Sequence, residues 1–127
     1  MPIWVAVAVG GALGSVARHG VNHLVQGQAR FARFPWATML VNVSGCLIIG
    51  LLAGVIASGR LPMRAGWREF VFVGLLGGFT TFSTFGLDTV TLLRAGATGD
   101  AFLNVAGNLV IGVGAVYAGL LIGELGR

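Results

Sequence analysis

Apolar residues in this chain fall into four long stretches, separated by short polar connections. A helix that crosses a bilayer needs roughly 20 predominantly apolar residues. The pattern predicts such helices over 3–25, 36–58, 67–94 and 101–125. Of the connections, Gln26 to Pro35 carries Arg30 and Arg33, Gly59 to Gly66 carries Arg60 and Arg64, and Ala95 to Asp100 joins the last two stretches. The expectation is an all-α membrane protein, one integral domain over 1–127 with no soluble appendage.

Small residues recur inside the stretches at spacing four: Gly10 and Gly14, Gly50 and Gly54, Gly74 and Gly78, Gly119 and Gly123. This spacing lets helix backbones approach closely in lipid. The third stretch departs from the rule. It runs 28 residues from Trp67 to Arg94, about 42 Å of helix, against a hydrocarbon thickness of roughly 30 Å. Its middle reads Gly77-Gly78-Phe79-Thr80-Thr81-Phe82-Ser83-Thr84-Phe85. Two glycines and four hydroxyl residues at membrane depth predict a helix broken there, with Gly77-Gly78 followed by Thr80-Thr81 as the natural place because glycine tolerates strained angles. Broken backbone survives in lipid only where protein or a water-filled path receives it, and such breaks commonly hold ions. Freed carbonyls make an oxygen cage suited to a hard cation such as Na⁺. The helix start near Thr80 offers unpaired amides and a positive dipole end. A plain glycine kink, with hydroxyls bonded back to the helix, accounts for the same residues.

Composition agrees with a bilayer setting. Of the 127 residues, 56% are hydrophobic and 9% charged, where a soluble domain has about a quarter charged. The net charge of +4 comes from eight arginines against four acids. On a soluble protein that balance suggests nucleic acid; here most arginines flank membrane segments and meet lipid head groups, so no nucleic-acid partner is expected. Trp4, Trp36 and Trp67 sit at stretch starts, as interfacial belt residues do. The lone Cys46 allows no intrachain disulfide. Arg18 and the glycine pattern make the first stretch unlike a cleaved signal peptide.

Orientation is weakly instructed. Four spans put Arg60, Arg64, Arg68 and Arg127 on one side and Arg30, Arg33 and Arg94 on the other, almost no bias for the positive-inside rule. A chain so balanced can insert both ways. Two opposed copies can then pair about a two-fold axis in the membrane plane, so an antiparallel dual-topology homodimer is expected.

Other polar residues leave two readings each. Asn42, with Thr38 and Ser44 nearby, is either helix glue or a pathway group. Asn104 and Asn108 share a face of the fourth stretch and invite the same pair. Arg18 either draws anions into a vestibule or pairs with an acid. Phe79, Phe82 and Phe85, at spacing three, are either a packing stripe or rings whose positive edges attract a small anion, with Thr81, Ser83 and Thr84 as hydroxyl donors alongside. His19 and His23 stand at metal-ligand spacing, but no acid or cysteine nearby completes a site. Asp88 is expected to face water or an arginine.

These residues resemble the Fluc (CrcB-type) fluoride channel family over nearly the whole chain. The resemblance is carried by Gly10-Gly11-Ala12-Leu13-Gly14 leading to Arg18, by Phe34-Pro35-Trp36-Ala37-Thr38 with Asn42 and Gly45, and by the run from Gly77 to Phe85. It implies four helices, assembly as an antiparallel dual-topology homodimer with two pores, and passive export of fluoride from the cytoplasm across the bacterial inner membrane. It further implies a structural, untransported Na⁺ on the two-fold axis, held by the Gly77 and Thr80 carbonyls. Phe82 and Phe85 would be pore phenylalanines, Asn42, Thr81 and Ser83 their polar neighbours, and Arg18 the vestibule base. Asn104 and Asn108 stand where the family would have tyrosine and serine or threonine hydroxyls, so their place as pore liners is open.

Two other classes compete. A small proton-coupled drug exporter needs a membrane-embedded carboxylate; the first stretch has none, and the acids lie near segment ends. A non-transporting assembly factor would explain the packed glycines but not the hydroxyl-rich break. No nucleophile, base and orienting group at a plausible spacing suggests an enzyme.

Overall fold

The computed structural model describes residues 1–28 and 33–125, and they form four helical rods with no strand among them. Arg30 and Arg127, two of the arginines weighed for orientation, lie outside the described residues. Helix α1 is Ile3–Val21, continued by a wider π-type turn over Asn22–Gln26. Helix α2 is Trp36–Ala57. The third rod spans Ala65–Arg94 in two pieces, α3 over 65–79 and α4 over Phe82–Arg94. Helix α5 is Thr98–Glu124.

Punctuation in the sequence explains the boundaries. Pro2 and Pro35 stand immediately before α1 and α2, where a missing N–H costs nothing. Gly59 and Gly96 carry the only positive φ angles among the described residues, 77° and 78°. Each follows a helix end. At Gly96 the N–H bonds to the Leu93 carbonyl and that of Ala97 to the Leu92 carbonyl, the paired bonds that close a helix through a left-handed glycine.

Three rods are long and apolar enough to cross a membrane: Trp36–Ala57, Ala65–Arg94 and Thr98–Glu124. The first rod does not reach that apolarity, because Arg18, His19, Asn22, His23 and Gln26 crowd its second half.

The rods pack as two pairs, α1 against α3 and α2 against α5. Glycines make both seams. A Cβ at Gly78 would lie 2.6 Å from the Gly11 carbonyl oxygen, and one at Gly74 2.9 Å from that of Val7. Side chains at Gly10 and Gly14 would run into the Phe70 and Leu75 carbonyls. In the other pair, Gly50 and Gly54 meet the Val116 and Leu120 carbonyls, while Gly119 and Gly123 meet those of Leu47 and Leu51. Lipid tails are as apolar as leucine, so backbone contact rather than side-chain burial holds such pairs. The buried apolar residues are accordingly few: Ala6, Ala37, Val41, Leu76, Phe85, Leu92 and Ala101. Between the pairs, α4 leans on the start of α5 and a groove stays open on one side.

In the third rod the glycines and the threonines behave differently. Gly77 is helical (φ −63°, ψ −36°), and the helical backbone continues through Phe79. The extended residues are Thr80 (ψ 159°) and Thr81 (φ −153°, ψ 118°). The glycines are used otherwise: Gly78 is committed to its contact with Gly11, which needs regular helix. Threonine, branched at Cβ, takes extended backbone readily.

Candidate functional site

Where the third rod opens, side chains replace several of the bonds the helix gives up. An uninterrupted helix would direct the Thr81 N–H to the Gly77 carbonyl. Instead it donates to Asn42 Oδ1 at 2.8 Å, and Asn42 Nδ2 donates back to the Thr81 carbonyl at 2.9 Å. One amide side chain thus serves both polar groups of one residue, as a neighbouring strand would. The Thr81 hydroxyl then caps α4, accepting from the Thr84 N–H at 3.2 Å and donating to Thr84 Oγ1 at 3.1 Å. The Ser83 hydroxyl is 3.4 Å from it.

Asn42 has a second amide hydrogen, which goes to Asn108 Oδ1 at 2.8 Å. Asn108 Nδ2 donates to Asn104 Oδ1 at 3.1 Å and to the Asn104 carbonyl at 2.9 Å. Asn104 Nδ2 donates to Thr89 Oγ1 at 3.0 Å, and that hydroxyl donates to the Phe85 carbonyl at 2.8 Å. Thr89 and its link to Phe85 were not foreseen from the sequence; the only signal was a hydroxyl two turns past the Thr80-Thr81 pair.

A groove of about 360 Å³ opens beside this chain, lined by Asn42, Gly77, Thr80, Thr81, Phe82, Phe85 and Asn108 together with apolar residues of α2, α3 and α5. Most residues singled out from the sequence therefore meet here. The two rings lie 5.3 Å apart, tilted by 58°, but differ in burial: Phe85 is 6% exposed and Phe82 76%. Ser83 is exposed and touches the site only through Thr81. Asn104 has no exposed surface and stands behind Asn108 rather than on the groove. Arg18 lines neither this groove nor the next cavity; its Nη1 reaches the Thr80 carbonyl at 3.4 Å from the α1 side.

A second, polar cavity of about 290 Å³ lies toward the other end of α4, lined by Asn22, Gln26, Arg33, Thr38, Thr84 and Asp88 among others. Thr38 is a hydrogen-bond partner of Asp88, whose Oδ2 is buried without a partner among the described residues. Arg33 lines this cavity too, but its ion pair, at 3.5 Å, is with Asp100. Among the described residues no group of three His, Cys, Asp or Glu side chains could hold a metal, so His19 and His23 have no third ligand there. The Gly77 carbonyl does not receive the Thr81 N–H that a continuous helix would give it, because that donor goes to Asn42.

The family model described as CrcB-like protein, Camphor Resistance (CrcB), matches residues 5–120. The chain belongs to this family. CrcB relatives align almost end to end with it. A fluoride-specific ion channel of Opitutus terrae is 48% identical over 120 residues, covering 94% of this chain and 90% of its own. One from Nitrobacter winogradskyi is 48% identical over 118 residues, 92% of this chain and 91% of its own. Another from Thermus thermophilus is 43% identical over 123 residues, 97% and 96%. These CrcB relatives are named as ion channels, and the family is not an enzymatic one. With three apolar helices of spanning length, the chain is a multi-pass membrane protein.

Proposed function

We propose that this chain is a fluoride channel of the bacterial inner membrane, acting as a pair of oppositely inserted copies and letting fluoride leave the cytoplasm down its gradient. The observation that carries the reading is the opened third rod: Thr80 and Thr81 extended, clamped by Asn42, with Phe82 and Phe85 at the same groove. The names of relatives at 43–48% identity supply the ion.

Fluoride holds its hydration shell tightly, so a pathway must replace water without trapping the ion. Hydroxyls of Ser83 and Thr84 at the α4 start are donors of the right kind, with Thr81 donating to Thr84 behind them, and α4 begins there with its positive dipole end. The edges of Phe82 and Phe85 add weak positive potential without a formal charge. Acid outside a cell carries fluoride inward as neutral HF, which dissociates inside; a passive path then lowers its toxicity with no energy source.

The exposed Phe82 and open groove favour a second copy as the missing wall, and the balance of arginines favours opposite insertion. In that pair the Gly77 and Thr80 carbonyls of both copies would hold the structural Na⁺. Neutral backbone oxygens suit a hard cation. Gly77 fits, with its carbonyl released; Thr80 fits once the long Arg18 contact gives way. Na⁺ would supply charge that joins the copies. The test is fluoride-electrode efflux from reconstituted vesicles: release of fluoride from loaded vesicles is expected, and vesicles that hold it as protein-free ones do would refute the function.

A further inference from the structure

The asparagine chain has a polarity that no single member sets. Its first donor is the Thr81 N–H and its last acceptor the Phe85 carbonyl, both backbone groups of the third rod at the α4 start. Between them every link runs one way: Asn42 Nδ2 to Asn108 Oδ1, Asn108 Nδ2 to Asn104 Oδ1, Asn104 Nδ2 to Thr89 Oγ1. The N–H and carbonyl of Thr81 fix the Asn42 amide, and turning over any one amide of the chain then sets like groups against each other. A flipped Asn42 would set Nδ2 against the Thr81 N–H and Oδ1 against both the Thr81 carbonyl and Asn108 Oδ1. The chain leaves α4, crosses α2 and α5, and returns to α4, so it closes a loop through three helices. Both Asn42 hydrogens are consumed within it, which leaves that amide no N–H to give an ion.

We infer that Asn104 and Asn108 are positioning residues which, with Thr89, hold the Asn42 amide in the one orientation that keeps Thr81 extended. Asn104 touches neither Asn42 nor Thr81 and has no exposed surface, so it acts only through its neighbours. Satisfied networks of this kind are cooperative, and each member loses more than its own bond when one is cut. In this arrangement Asn42 is a clamp on Thr81. This inference deepens the channel reading but rests on it only for the flux measurement.

The test is amide hydrogen exchange of the full-length protein in micelles, with Asn104→Leu and Thr89→Val. Thr89→Val keeps the shape of the side chain and decides the matter if Asn104→Leu does not fold. The Thr81 N–H should exchange about tenfold faster in either variant, the equivalent of roughly one net hydrogen bond, while Ala53, three turns farther along α2 from Asn42, keeps its protection. Unchanged Thr81 protection, or equal acceleration of Thr81 and Ala53, overturns the relay. Fluoride efflux adds a readout that packing alone would not move. Asn104→Leu added to Asn42→Ala should cause no loss beyond Asn42→Ala, because linked members are not additive; multiplied losses overturn it. If the unmodified protein releases no fluoride yet Thr81 responds, the relay stands and the channel reading falls; efflux without a Thr81 response is the reverse.

Discussion

Thr81 presents its N–H and its carbonyl to a single side chain, the Asn42 amide, at 2.8 and 2.9 Å. A residue taken out of a helix inside lipid must place both groups somewhere, since no water is at hand. Asn is the shortest side chain with a donor and an acceptor side by side. Asn42→Ala therefore orphans two backbone groups of a buried residue, at about 1–3 kcal/mol each. Fluoride efflux should fall at least about tenfold, with reduced thermal stability in detergent. Full efflux from vesicles carrying Asn42→Ala would show that the clamp is dispensable.

Phe82 and Phe85 should separate in stability while agreeing in flux. Phe85 is buried against the protein, and Phe82 stands open on the groove. Phe85→Ile is expected to lower stability by about 1–3 kcal/mol through lost packing, and Phe82→Ile by no more than about 0.5 kcal/mol in a single copy. Both should cut fluoride efflux. Thermal unfolding followed alongside electrode traces checks each half, and undiminished efflux in both variants contradicts the pathway assignment.

The glycine seams make a different forecast. Gly50 and Gly119 face carbonyls across α2 and α5, and nothing flexible can yield. Gly50→Val or Gly119→Val should force the helices apart, costing about 3 kcal/mol or more, seen as loss of a monodisperse folded peak in detergent. Gly114 meets nothing within 4 Å, so Gly114→Ala should be silent.

Sodium is expected to matter to assembly rather than to energy coupling. Replacing Na⁺ by N-methylglucamine should shift the protein from dimer toward monomer in detergent and silence efflux. A dimer and flux indifferent to that exchange would remove the carbonyl site from Gly77 and Thr80.

Insertion in both orientations is read from tags. A tag on the N-terminus should be about half accessible from one side of sealed cells, since the arginine balance gives the positive-inside rule little to act on. A tag wholly on one side rules out opposed copies.

The amino-acid sequence by itself determined the four rods, through apolar length bounded by Pro35, Gly59 and Gly96. It also marked the small-residue seams and the segment from Gly77 to Phe85 as the chemical centre, because each is a local pattern with a local cause. Pairing and register belonged to the tertiary structure. Only there does Gly78 prove to be spent on contact with Gly11, so that the backbone opens two residues later, at Thr80 and Thr81. Only there do Asn42, Asn108, Asn104 and Thr89 fall into line. Asn108 and Thr89 do bond within their own helices, but spacing cannot say that Asn42 and Asn104 reach across to other helices. What decides is that α2, α4 and α5 bring Asn42 to Asn108 and Asn104 to Thr89 at 2.8 and 3.0 Å, while the N–H and carbonyl of Thr81 set the direction of the amide bonds that follow.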